Sequence, residues 1–278
     1  MKAARVHSVL VGGVQDPRRL LEWAEDPQAL RSLGVDPASL DLDALRLFSG
    51  MALKVRHNGL RASYPHSFRL LDVAGLEIEV FAAYALDLAV SGAPLGTSDE
   101  ARAQAFIDFV RDWHDPRKQS HVLLFDLLHH EQALSQLASA GGAATGRGSP
   151  SSTRPAATSV PRVRGAVRLH ELGHDPRTLV DVLRQREPDL GAIALAPCSL
   201  CYWRPPGAEG AGIVELDAFG FAVIQATDGR RSVADITAGL GLGRRVPARV
   251  LRLLAQLQDA GLLAFAARRR PASRGPAG

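Results

Sequence analysis

From Ser139 to Val160 the chain is built almost entirely of Gly, Ala, Ser, Thr and Pro, with no recurring apolar position. Such a stretch cannot bury a core of its own and reads as a flexible linker. It forces everything else into two separately packed bodies. The expected organisation is a helical domain over 1–138, a linker over 139–161, a second domain over 162–266, and a basic Arg/Pro/Gly tail over 267–278. At 278 residues the chain is long enough for two ordinary domains.

The first half reads as helices throughout. Asp-Pro steps at 16–17, 26–27 and 36–37 mark helix starts, because proline suits the first turn and aspartate accepts its free amide hydrogens. Leu20, Leu21, Trp23 and Ala24 fall in one short helix, Leu30 and Leu33 in a second, and a longer one covers Leu40 to Val55. Arg56 to Pro65 reads as a helix end running into the Tyr64-Pro65 break. Ile78, Phe81, Ala82, Ala85 and Leu88 recur at helical spacing and predict one apolar stripe. In the next helix, Phe106, Phe109, Val110 and Trp113 are predicted to point inward. Val122 to Leu137 is expected to be the last helix of this half.

The second half mixes strands and helices. Ala166 to His170 reads as extended, Pro176 to Gln185 as helical, and Ala192 to Trp203 as a strand interrupted at Pro197. Ile213 to Leu216 is β-branched and apolar, a further strand. Asp217 can cap a helix that Asp228-Gly229 stops, since glycine takes the left-handed conformation at helix ends. Ser232 caps another helix, with Asp235 completing a capping pattern, and a third follows Pro247 and ends at Gly261. Leu262 to Phe265 then returns as extended chain. The expected fold class is mainly α (α+β): a helical N-terminal domain and a small winged-helix-like C-terminal domain with a short antiparallel sheet.

Function classes can be narrowed by composition. Hydrophobic residues make up 46% and charged residues 22%, as in soluble globular proteins. No apolar run approaches the roughly 18 residues of a membrane span, and residues 1–14 lack a signal-peptide core, so a cytoplasmic location is expected. The net charge of +4 gathers in the tail and near the linker. It gives little support for nucleic-acid binding.

Catalytic signatures are missing as well. There is no Ser-centred elbow, phosphate loop or dinucleotide fingerprint, which points to a binding protein. Cys198 and Cys201 have the spacing of half a zinc site, which His170 and His174 could complete. On a strand, however, a spacing of three sends the two thiols to opposite faces. His129-His130-Glu131 does not converge either, because adjacent helical residues point about 100° apart.

The order of these landmarks resembles the HvfC/BufC-type partner proteins of multinuclear non-haem iron-dependent oxidative enzymes, which modify ribosomally made peptides. Arg56-His57-Asn58, Tyr64-Pro65 and Phe81-Ala-Ala-Tyr84 stand in the order of that family's N-terminal landmarks. Leu127 to Leu134, with Glu131, is similar to the helix ending its first domain, and Leu200-Cys-Tyr-Trp-Arg204 to its strand that runs into an arginine. Ile213–Leu216, Asp228-Gly229, Ser232–Ile236 and Gly261–Leu263 resemble the PqqD-type element that recognises leader peptides. One Asn rather than two near position 58, the long linker and the two cysteines depart from the pattern.

The resemblance implies a non-catalytic subunit that forms a heterodimer with an iron enzyme and presents a precursor peptide to it. The iron would belong to the partner, with no cofactor in this chain. Ile213, Val214, Glu215 and Leu216 would pair with the peptide backbone. Arg249, Arg252, Leu253 and Gln256 on the last helix would select its side chains. Arg56, His57, Asn58, Tyr64 and Pro65 would meet the enzyme. The rivals are a winged-helix DNA-binding regulator with a helical sensor domain, and a small zinc or redox protein using Cys198 and Cys201.

Overall fold

A computed structural model describes residues 2–94, 96–140, 154–205, 208, 210–243 and 245–266. The tail assigned to 267–278 and most of the expected linker, 141–153, lie outside the described residues. The chain divides into two compact units: residues 1–131 with 176–194, and residues 132–175 with 195–278. The architecture is mainly α with a small antiparallel sheet region toward the C-terminus.

The first unit is all helical. It contains α1 (Lys2–Gln15), α2 (Arg18–Glu25), α3 (Pro27–Ser32), a 3-10 turn (Pro37–Ser39), α4 (Leu42–Arg56) and α5 (Leu60–Ser63). There follow α6 (Pro65–Val73), α7 (Glu77–Ser91), α8 (Asp99–Trp113), the first part of α9 (Gln119–Ser139) and α10 (Pro176–Leu183). Each Asp-Pro step works as its chemistry dictates. Asp16 accepts from the Arg18 amide, Asp26 from Gln28 and Asp36 from Ala38, at 3.3, 2.9 and 3.1 Å. Two cores result. A small one joins Val9, Leu20, Trp23, Leu30 and Val35. A larger one gathers Tyr64, Phe68, Phe81, Tyr84, Phe106 and the leucines of α6 and α9.

Helices α4 and α7 cross where neither carries bulk. A Cβ placed on Gly50 would stand 2.5 Å from the Ala82 amide nitrogen, so glycine is what lets the two backbones approach. The predicted stripe on α7 holds in its middle, where Phe81, Ala82 and Ala85 are buried. Ile78 is instead exposed, and Val80 and Tyr84 take the inward positions. Residues 2–15 form a helix where the sequence offered only a short apolar patch.

Helix α10 differs from expectation in its allegiance. The reading put 162–266 in one domain, yet Leu179, Val180, Leu183 and Ile193 are buried in the larger core of the first unit. Gln119 ties the same segment down by donating from Nε2 to the carbonyls of Leu190 and Ile193, at 3.2 and 2.7 Å. An amphipathic helix records that it has an apolar face, but not which core receives it.

The second unit holds two small sheets. β2 (Ala166–Leu172), β3 (Cys198–Arg204) and β4 (Gly212–Leu216) form an antiparallel sheet in the order β2-β3-β4. β1 (Val160–Val163) pairs with β5 (Leu263–Ala266) in a separate two-stranded ribbon. The expected linker therefore overran. Ser159 and Ala157 already accept backbone hydrogen bonds from Val233 and Ala234, both at 2.9 Å, and Val160 opens β1.

Helices α11 (Ala218–Gln225), α12 (Val233–Gly239) and α13 (Ala248–Asp259) follow β4 as the sequence signals require. Asp217 accepts from the Gly220 amide at 2.6 Å. Gly229 has φ +73°, and Asp228 just before it accepts from the amides of Arg230 and Arg231 at 2.8 and 2.9 Å. Ser232 and Asp235 complete a reciprocal capping box.

The three-stranded sheet has a core on each face. Cys201, Val214 and Leu216 join Val223, Ile224, Val233, Val250, Leu254 and Leu257 of the three helices. On the other face Leu172, Cys198, Leu200 and Tyr202 pack against Ala133, Leu134 and Leu137 from the last turns of α9. No helix among the described residues is long and apolar enough to cross a membrane.

Candidate functional site

Strand β4 lies at the margin of its sheet. It pairs with β3 in the register Ser199↔Leu216, Leu200↔Glu215, Cys201↔Val214, Tyr202↔Ile213 and Trp203↔Gly212. Among the described residues no strand pairs with its other side. Alternate residues of a strand aim their N–H and C=O groups to opposite sides, so one set on β4 faces outward unclaimed by any strand. Side chains alternate too. Val214 and Leu216 turn to the helix-covered core, Ile213 packs with the opposite core, and Glu215 is exposed.

Glycine at the start of β4 has a steric cause. A Cβ at Gly212 would overlap the indole of its cross-strand partner Trp203, which lies over it. An aromatic ring shielding a strand glycine restores packing that the missing side chain forgoes.

The opposite margin of the sheet, on β2, is guarded. Arg168 donates from Nη1 to the Val167 carbonyl at 2.9 Å and from Nε to Gln136 Oε1 at 2.6 Å. Charged side chains on an edge strand disfavour pairing with another chain. β2 also carries Arg168, His170 and Glu171, whereas four of the five residues of β4 are apolar or glycine. Of the two margins, that of β4 is thus the more apolar.

Helix α13 contributes to the same core as β4. Val250, Leu254 and Leu257 are buried, while Arg249, Arg252 and Gln256 form an exposed polar stripe with half-buried Leu253 beside it. The Arg249 guanidinium sits over the Phe219 ring, 5.4 Å from its centroid. That contact fixes one cation on the surface of the domain. All eight residues expected to meet a peptide thus lie on β4 or α13 of the second unit.

The five residues expected at a partner interface separate. Arg56, Asn58 and Pro65 are exposed on the first unit. His57 and Tyr64 are buried and cannot form a surface contact in this fold. His57 Nδ1 lies 3.0 Å from the Leu53 carbonyl, and its ring packs among Phe81, Tyr84 and Phe106 at centroid distances of 5.7, 5.5 and 6.4 Å. Burial lowers its pKa below the ordinary histidine value, and Nε2 has no hydrogen-bond partner among the described residues. The resemblance places His57 at a contact with the enzyme; an aromatic cage holds its ring instead.

Sequence reasoning missed a neighbouring feature. On α4, which ends at Arg56, Leu47, Phe48, Met51 and Val55 are all exposed, Phe48 at 56% and Val55 at 66%. Their signal was present as excess: α4 has more large apolar residues than one inward stripe can use.

The two other landmark residues turn out to tie helix ends. Glu131 is 5% exposed and accepts from the amides of His66 and Ser67 at 3.0 and 2.9 Å and from the Ser67 hydroxyl at 2.6 Å. It therefore caps α6, whose own N-cap residue, Tyr64, supplies no side-chain bond. Arg204, at the end of β3, donates from Nη1 to the carbonyls of Leu137 and Ala138 at 3.1 and 2.7 Å, satisfying the C-terminus of α9.

Cys198 and Cys201 occupy opposite faces of β3, one in each core. Burial pushes the Cys201 thiol up to about 12, far from the reactive thiolate range. Cys198 Sγ lies 3.7 Å from the His174 carbonyl, and the His170 ring meets Tyr202 edge-on at 5.8 Å. Two thiols on opposite sides of a strand cannot bind one ion, and among the described residues no group of three or more His, Cys, Asp or Glu gathers as a metal site. Compared with known proteins, the chain matches no family model and no curated sequence.

Proposed function

We propose that the protein is a non-catalytic partner subunit that captures an extended precursor peptide on β4 and presents it to an iron-dependent oxidative enzyme. The observation carrying this reading is the margin of β4, with which no strand pairs among the described residues, in a core shared with α13, whose Arg249, Arg252 and Gln256 are exposed. A guest strand added there gains main-chain hydrogen bonds, and the stripe favours an acidic leader segment. Arg56, Asn58 and Pro65, with the apolar face of α4, offer the first unit a separate surface for the enzyme. Exposed clusters of large apolar residues commonly mark protein contacts.

The test is fluorescence anisotropy with a labelled leader segment of a candidate precursor peptide, with and without a candidate iron-dependent enzyme. Proline removes a backbone donor, so Ile213→Pro and Val214→Pro differ in effect, because only one of two successive N–H groups faces outward. The outward variant is expected to fold normally and lose peptide binding. Normal binding by both folded variants would overturn the reading. Duplex DNA in the same assay tests the regulator alternative, which requires steeply salt-dependent affinity.

A further inference from the structure

The first unit contains a cleft that the peptide-presenting role does not use. It lies between α7 and α8 with a volume of about 610 Å³, within the range of binding clefts. One wall is aromatic. The Tyr84 and Phe109 rings lie 4.9 Å apart, and Phe109 and Trp113 stack at 6.2 Å. Phe109 and Trp113 are only half-buried, and Val90 at the end of α7 is 63% exposed.

The rim is acidic. Asp87, Asp108 and Asp112 all line the cleft. Asp108 is paired with Arg111, but Asp87 and Asp112 have no cation within ion-pair distance among the described residues. This occurs on a chain whose net charge is +4. A third observation concerns Tyr84, which is 2% exposed. It lines the cleft, and its hydroxyl has no hydrogen-bond partner among the described residues. Burial, reinforced by the Asp87 carboxylate, holds its proton to about 12, so it stays a donor and acceptor at neutral pH.

Aromatic faces attract cations through their quadrupoles, and unpaired carboxylates beside them add Coulombic attraction. An apolar floor with such a rim fits a lysine or arginine flanked by aliphatic side chains. We infer that this cleft docks a cationic amphipathic segment of a partner polypeptide, its cation between Asp87 and Asp112 and its apolar side chains against Phe109 and Trp113. The inference concerns the first unit alone and does not depend on peptide capture by β4.

The experiment uses the full chain and two fluorescein-labelled helical peptides, one built of Leu and Lys and its counterpart of Leu and Glu. The Leu/Lys peptide is expected to bind and the Leu/Glu peptide to fail. Asp87→Asn with Asp112→Asn should weaken binding by about tenfold or more, while the control pair Asp43→Asn and Glu100→Gln, exposed elsewhere on the unit, should leave it unchanged. Val90→Arg should block the cleft, with folding checked by circular dichroism. Equal binding of both peptides, or equal loss in the control pair, overturns the inference. So does a dimer in sedimentation that Val90→Arg dissociates, because the cleft would then hold a second copy of this chain.

Discussion

A buried carboxylate at position 131 does the work that a local cap does elsewhere. Removing it leaves two helix amides and a hydroxyl without an acceptor, and unmet buried donors cost about 1–3 kcal/mol. Glu131→Ala is expected to destabilise the chain by about 3 kcal/mol in urea unfolding, with Glu131→Gln intermediate because the neutral amide still accepts. Nothing local announces this role, since its partners lie 65 and 64 residues earlier. His57 makes a second prediction. Its folded pKa lies below the ordinary 6.5 because burial disfavours the cation, and His121 and His129 shift the same way for the same reason. Below 6.5 the unfolded chain takes up protons that the folded chain refuses, so stability present above that value is lost as pH falls through the folded pKa. The melting temperature should drop between about pH 7 and about pH 5, and drop less in His57→Gln, in which one such group is gone. An equal drop in both would remove His57 from that role.

At the scale of elements, the readable features were those with local causes. The three Asp-Pro steps, the Asp217 cap, the Asp228-Gly229 stop and the Ser232–Asp235 box each needed only residues within three positions of one another, and each forms as the chemistry requires. The strand reading of Cys198 and Cys201 likewise followed from the period of two. What was not readable depends on distant partners. That α10 joins the first unit, that β5 pairs with β1, and that the end of α9 covers one face of the sheet are decisions about which apolar surface meets which. The candidate site divided along the same line: β4 and α13 were legible as elements, whereas the burial of His57 and Tyr64 was set by Phe81, Phe106 and their neighbours. The α4–α7 crossing gives a test of packing at this scale. Gly50→Ala forces the helices apart at Ala82, where backbone rather than a side-chain tip would be struck. It should cost about 1–3 kcal/mol, typical of overpacked cores, and an alanine tolerated without loss would mean that the helices do not cross so closely.

For the whole molecule, the proposed function divides two tasks between two units. The second unit holds a sheet with one guarded margin, at Arg168, and one open margin, at β4. The first unit displays the exposed apolar face of α4 and the acidic cleft between α7 and α8. Paired substitutions should therefore divide by unit. Arg249→Glu with Arg252→Glu on α13 is expected to weaken an acidic leader by about tenfold while leaving enzyme association intact, and Phe48→Asp with Val55→Asp should do the reverse in a pull-down with the enzyme. Hydrogen exchange of the full chain, with and without the leader segment, tests the central claim most directly. Bound peptide should slow exchange of the outward amides of Gly212–Leu216, while those on the Arg168 side of β2 keep their rates. Peptide binding that leaves the β4 amides exchanging as in the free protein would contradict the account.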